Sequence, residues 1–481
     1  MVTRSAFFLC SVLVGLAGPA LAADRLAIVG AMVIDGTGAP PLPDAVVVIE
    51  DERVTSVGPR ATIEIPDGVE VIDATGKWLI PGLIDAHVHL SRSASLYSAP
   101  DDLDLRAYRD WATDEVPRTR AALPRTLARY IASGVTSVID RGGPFGSLEI
   151  RALAKAQIAA PRVALSGPML TSYRPSEADR PNATGHHIET PDQARAMVAS
   201  LAAAGVDLVK IHFVPDGTAL ETTLAWVRAA VEEASAHDLP VTVHATRAAL
   251  ARAVIEAGAA QLVHSVDDVP VDDAFVRLLS DRGAVYTTTL LVYEGYREVF
   301  TRQLDYSDIE RRLGDPETIA TLDDLATIPS RSLPGWVGHY GPGRDGRQRQ
   351  RVDLPHWLVH NVQTVMAENL RRLAAGGVTI AAGTDAGTVG NLHGPALHRE
   401  LELMAKAGLP PLAVIRAATL GGATAMGRAH ELGTIAPGML ADLVILDADP
   451  LADIANTRRI YRIVKDGEVF DPDGLLRSMS R

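Results

Sequence analysis

Two histidines in this sequence have the spacing of a pair of metal ligands. His87 and His89 lie near the end of the apolar stretch PGLIDAHVHL, residues 81–90. On a β-strand, residues two apart point to the same face, so both imidazoles would face the same way. Burying two imidazoles is costly unless their nitrogens find partners, and a divalent cation satisfies both. The pair alone is a weak indication of a metal site.

A lysine near the end of another apolar segment strengthens that indication. Lys210 lies in VDLVKIHF, residues 206–213. Burial disfavours the charged form of a lysine and therefore lowers its pKa. A neutral amine can react with carbon dioxide to give a carbamate, an anion able to bridge two metals. The alternative is a structural lysine with an ordinary charge partner.

Three more residues occupy the same kind of position. His244 ends VTVH, His264 follows LV, and Asp385 ends IAAGTD. Each is at the C-terminal end of a predicted strand, and in a barrel of parallel strands those ends converge on one catalytic face. Any one of these side chains alone would be unremarkable as a core or surface residue. Nitrogen and oxygen ligands at five strand ends together predict a metal centre.

The elements that position these residues alternate between strands and helices. Alternation of this kind favours a parallel sheet with crossover helices, and eight units predict an α/β fold, a (β/α)8 TIM barrel. An open doubly wound sheet is the alternative, although no G-x-G-x-x-G follows the first strand. The predicted strands are residues 79–89, 135–140, 162–166, 207–213, 241–245, 262–265, 284–289 and 379–385.

Both ends of the chain read as short strands joined by turns rich in Gly, Pro and Asp. We therefore predict a small β-sandwich domain whose first part is residues 23–78 and whose second part is residues 429–481, with the barrel at 79–428. The largest insertion in the barrel is about residues 290–355. Its stretch GPGRDGRQRQR, residues 341–351, indicates either a solvated loop or a lid that places an Arg over an anionic substrate.

The first 22 residues resemble a secretory signal peptide. Arg4 precedes an apolar run that is too short to span a bilayer, and Ala20-Leu21-Ala22 offers a cleavage site. Cleavage there would also remove Cys10, the chain's one cysteine. We therefore expect a secreted or periplasmic protein with no membrane segment after cleavage. The alternative is an uncleaved anchor.

Composition excludes several other classes of protein. The formal net charge of −13 opposes binding to a phosphate backbone, and an aromatic content of 5% opposes stacking on single-stranded nucleic acid. An apolar content of 47% excludes a disordered chain. We therefore expect a small-molecule substrate and no nucleic-acid partner.

These motifs resemble the amidohydrolase superfamily. PGLIDAHVHL and AGTDAG (residues 382–387) are similar to its first-strand and eighth-strand motifs, and GTIAPGMLADLVILD (residues 433–447) to its return into the small β domain. The lysine on the fourth strand and residues 390–419 resemble the imidazolonepropionase-like branch. That branch includes binuclear zinc prolidases, other dipeptide hydrolases and ochratoxin-type amidases. Self-association is common among such relatives, so a homo-oligomer stays open.

The resemblance implies two Zn²⁺, or similar divalent metals, per chain. His87, His89 and Asp385 would hold the more buried metal. His244 and His264 would hold the second. Carboxylated Lys210 and a hydroxide would bridge the two metals, and Asp385 would act as the general base that later protonates the leaving amine.

Further residues are candidates for catalysis, in the case of His186 and His187, or for the substrate pocket. His186 and His187 fall in the predicted loop after the third strand, where relatives carry a Gly-Gly-His turn whose His approaches the substrate. The Gly-His-His found here leaves open which imidazole corresponds, and an ordinary exposed His is the alternative. His212, Tyr293 and His393 are predicted to contact substrate, although each could instead be a packing residue.

The sequence therefore predicts a hydrolase of an amide or peptide C–N bond, in a dipeptide or an N-acyl amino acid such as an ochratoxin-like amide. A lactonase or phosphoester hydrolase with the same two metals stays open. A mononuclear deaminase would fit if Lys210 is only structural. A barrel that binds without catalysis is the alternative from another class, which the intact ligand set opposes.

Overall fold

The computed structural model describes residues 25–98, 115–175, 183–215, 219–301, 303–327 and 361–479. The predicted signal peptide and the basic stretch at 341–351 lie outside these ranges. Within them, no helix combines the length and apolarity needed to cross a membrane. The strands are β1 Arg25–Val33, β2 Leu42–Glu50, β3 Arg53–Pro59, β4 Glu70–Asp73, β5 Trp78–Pro81, β6 Leu83–Val88, β7 Val135–Asp140, β8 Arg162–Leu165, β9 Met169–Thr171, β10 Gly185–His187, β11 Val209–His212, β12 Val241–His244, β13 Gln261–Val263, β14 Val285–Thr287, β15 Thr379–Ala381, β16 Leu443–Leu446, β17 Ile460–Lys465 and β18 Glu468–Phe470.

Helices follow most of the central strands. The α-helices are α1 Val116–Ala132, α2 Glu149–Ala156, α3 Pro191–Ala203, α4 Leu220–Ala236, α5 Ala248–Glu256, α6 Asp273–Asp281, α7 Leu290–Thr301, α8 Asp308–Leu313, α9 Pro316–Leu322, α10 Ala367–Ala375, α11 Ala396–Lys406, α12 Pro411–Arg416, α13 Gly422–Ala425 and α14 Pro472–Met479. Short 3₁₀ segments span Phe145–Leu148, Asp323–Ala326 and Ile454–Arg458, and π-helical segments span Asn361–Met366 and Ala417–Gly421.

Eight parallel strands form the predicted TIM barrel. β6, β7 and β8 pair in parallel, and β11 to β15 continue the parallel order on the other side. The backbone N–H of Asp207 donates to the carbonyl of Leu165 at 2.9 Å and joins the two runs. Ala86 N–H donates to Ala382 C=O at 2.9 Å and brings the last strand beside the first. Every residue of β6 and β7 is buried, as expected for strands covered on both faces.

A second sheet combines strands from both ends of the described chain. Its order is β18-β17-β16-β5-β1-β2-β3, and β4 pairs with β1. β16 pairs antiparallel with β5, so residues 443–446 lie beside residues 78–81. This is the extra β unit that the fold prediction included. The domain boundaries given above stay a prediction.

The helices bury one face against the barrel, and local capping fixes where several of them begin. The hydroxyl of Thr190 accepts from the N–H of Gln193, whose side chain reaches back to the N–H of Thr190, so α3 begins with a capping box. Asp272 caps α6 by accepting from Phe275 N–H at 2.7 Å. A large apolar cluster then fills the layer between barrel and helices.

Two parts of the structure differ from the sequence-based expectation. His186 and His187 lie on β10, which pairs in parallel with β9, and not in a loop. Three-residue strands carry too little periodicity to be recognised, and pairing with a neighbour decided this one. The insertion after β14 begins with three helices, α7, α8 and α9, in its described part. The proposed lid residues are outside that part.

Candidate metal centre

The six predicted ligands lie at the C-terminal ends of five barrel strands. His87 is in β6 and His89 directly follows it; Lys210 is within β11; His244 ends β12, His264 follows β13 and Asp385 follows β15. These strand ends meet at one face of the barrel because all eight strands are parallel. The tertiary structure therefore brings together residues that are up to 298 positions apart, from His87 to Asp385.

The imidazoles form a continuous cluster around the carboxylate of Asp385. Oδ1 of Asp385 lies 2.9 Å from Nε2 of His89 and 3.4 Å from Nε2 of His87. The ring centroids of His87 and His264 are 4.8 Å apart, and those of His264 and His244 are 4.4 Å apart. One ligand atom each from His87, His264 and Asp385 fits within a 4.8 Å group.

Several polar atoms of this cluster are buried with nothing to bond to. Both ring nitrogens of His87, Nδ1 of His244 and Nζ of Lys210 have no hydrogen-bond partner among the described residues. A buried polar group without a partner costs about 1–3 kcal/mol. Unpaired nitrogens that converge beside a carboxylate are the donor set that a divalent metal such as zinc accepts. The residues present therefore fit a metal centre.

Burial and mutual proximity set the protonation states of the cluster. Burial lowers the pKa of Lys210 well below its ordinary value, and the positive charge of Arg141 lowers it further. Burial likewise lowers the pKa values of His87, His244 and His264 well below 6.5. Burial thus favours the neutral forms of Lys210, His87, His244 and His264, which are the forms that bind a metal or react with carbon dioxide.

Asp385 behaves in the opposite way. Burial on its own would raise the pKa of its carboxyl, but His89 and His264 outweigh burial and hold the pKa well below its usual range. Asp385 is therefore an anion throughout the neutral range. The cluster therefore places nitrogen ligands around one negative charge.

The backbone is strained at two of the candidate ligands. His264 has φ of 69° and Asp385 has φ of 57°, in the left-handed region that non-glycine residues rarely occupy. The N–H of Asp385 donates to the carbonyl of His87 at 2.7 Å and holds the turn. Gly383 allows this approach, because a Cβ there would lie 2.8 Å from Cβ of His87. Strain of this kind collects at functional sites.

Hydrogen bonds from outside the cluster orient two of the rings. Nδ1 of His89 is 2.9 Å from the carbonyl of Gly142, and Nδ1 of His264 is 2.8 Å from the hydroxyl of Thr289. With Nδ1 engaged, each ring has Nε2 available for a metal. The sequence does not indicate Gly142 or Thr289 as partners, since neither has a spacing signature.

The other predicted site residues differ in their contact with the cluster. His212 packs against it, with its ring centroid 4.1 Å from that of His244. The hydroxyl of Tyr293 donates to Asp267 at 2.7 Å. His186 is half-buried beside Phe145, with ring centroids 6.4 Å apart, and burial lowers its pKa. His187 follows it on β10.

His393 has a different environment from the one predicted. Its Nδ1 lies 2.8 Å from the hydroxyl of Tyr130, and its Nε2 lies 2.8 Å from the carbonyl of Arg92. Both ring nitrogens are thus occupied by protein groups, and neither is left for a substrate. His393 shapes the site through the backbone of Arg92.

Arg141 is a residue of this site that the sequence analysis missed. It follows β7 and is completely buried. Its guanidinium donates to Ala86 C=O at 2.6 Å, to the Thr242 hydroxyl at 2.5 Å and to the Gln261 side chain at 2.9 Å. Burial lowers its pKa to about 9. Its position at a strand end was the one available signal, the same as for the ligands.

Arg141→Met is expected to lower the free energy of unfolding by about 3 kcal/mol, because three buried acceptors lose their donor. Chemical denaturation of the metal-free protein measures the change. Arg120→Met is the matched control, since the side chain of Arg120 is 77% exposed and should contribute little. Equal free energies of unfolding of the two variants would contradict the idea that the hydrogen bonds of Arg141 stabilise the fold.

The stability of the metal-free protein should fall as the pH drops below about 6.5. Burial lowers the pKa of His212 to about 3 and that of His393 to about 4. The unfolded chain therefore takes up protons that the folded chain excludes, and each such histidine contributes a loss of about 1.4 kcal/mol per pH unit. Denaturation at several pH values in EDTA measures the slope. The control is His237→Gln, because His237 is exposed and its replacement should leave the slope of stability against pH unchanged. If the unfolding free energy of the wild type did not change with pH, the buried histidines would not be neutral.

Comparison with known proteins agrees with this architecture. The sequence profile described as "Amidohydrolase family" matches residues 78–470. The imidazolonepropionase of Caulobacter vibrioides (strain NA1000 / CB15N) is 30% identical over 325 residues, covering 60% of this chain and 75% of the relative. That of Rhizorhabdus wittichii is 29% identical over 334 residues, 62% of this chain and 77% of the relative.

Solved structures show the same fold. A Xaa-Pro dipeptidase with bound methionine matches with a TM-score of 0.68 at 20% identity, covering 93% of this chain and 100% of that one. The ochratoxinase of A. niger matches with a TM-score of 0.65 at 21% identity, covering 93% and 96%. Profile, relatives and fold agree on one family. The chain therefore belongs to the amidohydrolase family, within the amidohydrolase superfamily.

Proposed function

We propose that this protein is a binuclear metal-dependent amidohydrolase that cleaves the amide bond of a dipeptide or an N-acyl amino acid. The observation that carries the proposal is the set of unpaired buried nitrogens around Asp385 at the barrel's catalytic face. The names of similar proteins, which include a dipeptidase, an ochratoxinase and imidazolonepropionases, support a C–N bond as the target.

Each residue of the cluster has a proposed role. His87, His89 and Asp385 would hold one metal and His244 and His264 the other, with Lys210 carboxylated between them. Two such cations, when bound, polarise the scissile carbonyl and make water acidic enough to act as a nucleophile near pH 7.

The protein's own residues handle the proton. Asp385 accepts a proton on its carboxylate from the attacking water and returns it to the leaving nitrogen, so that the amine departs neutral. Nε2 of His89 lies 2.9 Å from Oδ1 of the same carboxylate, so both atoms would reach the same metal. Burial of the cluster limits access of bulk water, so these charges act in a medium of low dielectric constant.

The proposal is tested by metal analysis and a substrate panel. Protein reconstituted with Zn²⁺ should hold two metals per chain and hydrolyse at least one member of a set of dipeptides and N-acyl amino acids. Lactones and phosphotriesters serve as comparison substrates with the same metals. One metal per chain with release of ammonia would contradict the proposal in favour of a mononuclear deaminase. Preference for lactones or phosphotriesters would contradict the assigned bond.

We also propose export, with cleavage after Ala22. The supporting observation is the apolar run that follows Arg4 and ends at a small-x-small site. Sequencing the N-terminus of protein recovered from a periplasmic extract should begin at Ala23. A full-length protein that stays with the membrane fraction would contradict this.

A further inference from the structure

Arg92 is a buried cation with no hydrogen-bonded partner in the described part of the chain, three residues after His89. Its side chain is 7% exposed, and its Nε has no hydrogen-bond partner among the described residues. Within the same part of the chain no carboxylate forms an ion pair with it. Arg141, by contrast, uses its donors on three acceptors. Asp140 and Asp385 are within electrostatic range of Arg92, but neither forms an ion pair with it. A buried guanidinium without a bonded acceptor is unfavourable, so Arg92 has donors available for an anion.

The backbone fixes Arg92 at the rim of the metal centre. Its N–H donates to the carbonyl of His89 at 3.0 Å, and its own carbonyl accepts from Nε2 of His393 at 2.8 Å. Its Cβ packs on the loop after β15, where a Cβ added to Gly387 would lie 3.0 Å away. Gly387 has φ of +105°, so both the close approach and the backbone favour glycine there. The Cα and Cβ atoms of Arg92 are therefore held beside the ends of β6 and β15.

The positive charge of Arg92 also affects the pKa values of residues in the metal cluster. After burial, it is among the causes that lower the pKa values of Lys210 and His212 on β11. It also helps to keep Asp385 ionised. The guanidinium is thus within electrostatic range of residues at two different strand ends. Metals in the cluster would add further positive charge, which increases the need for an anion.

The two arginines next to Arg92 already have hydrogen-bond acceptors within the protein. Arg92 also lines a cavity beside α1 with Arg118 and Arg129. Arg118 donates to the carboxylate of Glu115 at 2.8 Å, and Arg129 donates to the carbonyls of Leu313 and Gly314, each at 2.7 Å. Arg92 is therefore the cation of this group that remains for a ligand.

We propose that Arg92 binds a carboxylate of the substrate and so restricts the enzyme to amides that carry an acidic group next to the scissile bond. Such substrates are dipeptides with a free C-terminal carboxylate and N-acyl amino acids. The planar guanidinium can donate two parallel hydrogen bonds to a carboxylate, which an ammonium group cannot reproduce. This inference rests on the proposed amidohydrolase function and adds the charge that the substrate must bear.

Kinetics with matched substrates test the inference. The active substrate from the panel is compared with its C-terminal carboxamide, on wild type, Arg92→Met and Arg92→Lys, with Arg120→Met as the surface control. We expect Arg92→Met to lower kcat/KM for the carboxylate about 100-fold, mainly through KM, and to change the carboxamide rate by less than about threefold. Arg92→Lys should recover part of the loss. Equal losses on both substrates would overturn the inference, because they would indicate a purely structural residue.

A second readout does not depend on turnover. In EDTA, N-acetyl-L-phenylalanine, N-acetyl-L-proline and N-acetyl-L-leucine are tested for raising the Tm of the protein, each beside its carboxamide. We expect at least one carboxylate, and no carboxamide, to protect wild type and Arg92→Lys but not Arg92→Met. Protection of Arg92→Met equal to wild type, or no protection of wild type, would overturn the inference. Carboxylate-selective protection without hydrolysis of any panel member would instead contradict the proposed function alone.

Discussion

Asp385→Asn is expected to lower kcat/KM by about a thousandfold or more while the protein stays folded. The amide has the size of the carboxylate, so the positive-φ turn held by the carbonyl of His87 should persist. An amide cannot take up and return a proton, and general acid–base catalysis contributes typically about 10²–10⁴-fold. The low pKa of Asp385 keeps the proton-accepting form available throughout the neutral range. Steady-state kinetics with metal analysis of the same sample measures the effect.

A control variant distinguishes the loss of Asp385 as a base from the general effect of removing one negative charge. Asp192→Asn removes an acidic group whose side chain is fully exposed on α3 and should leave kcat/KM unchanged. Metal content of Asp385→Asn distinguishes two causes, since a loss of metal would indicate a ligand role as well. Full activity of Asp385→Asn would exclude the proposed base.

Lys210→Met is expected to abolish turnover and reduce the bound metal below two per chain. Met keeps the length of the side chain but cannot form a carbamate, so the negative charge proposed between the metals is lost. Kinetics and metal analysis measure the effect, and added acetate or propionate should restore part of the activity by supplying a carboxylate. Full activity and full metal content of Lys210→Met would contradict the bridging role.

The same variant should be more stable than the wild type without metal. Nζ of Lys210 is buried with no partner among the described residues, so an apolar replacement removes a penalty of about 1–3 kcal/mol. Because burial lowers the pKa of Lys210, the unfolded chain holds a proton that the folded chain lacks. The unfolding free energy of metal-free wild type should therefore rise with pH until about 10.5, and Lys210→Met should lack that contribution.

Opposite effects on stability and turnover would identify Lys210 as a functional residue rather than a structural one. Arg141→Met provides the comparison, since that change should reduce stability by removing three hydrogen bonds. A Lys210→Met protein that is less stable in EDTA would show that the lysine has a bonding role in the fold.

The sequence by itself predicted the barrel strands and the polar residue types at their C-terminal ends. Apolar runs of four to eleven residues separated by helical segments predict parallel strands, and polar residues at the ends of several runs predict the catalytic face. This pattern is local, so it was enough to predict the candidate ligands His87, His89, Lys210, His244, His264 and Asp385. The motifs around them also sufficed to indicate the superfamily.

The tertiary structure decided which side chains have partners. Arg92 and Arg141 are both arginines close to barrel strands, and nothing local distinguishes them. Arg141 meets acceptors from β6, β12 and β13, whereas Arg92 meets none in the described chain. The sequence likewise allows His393 to face the substrate. In the structure its two ring nitrogens bond instead to Tyr130 and to the carbonyl of Arg92. Hydrogen bonds between residues far apart in sequence depend on how the barrel closes, and strand-length patterns contain no information about that closure.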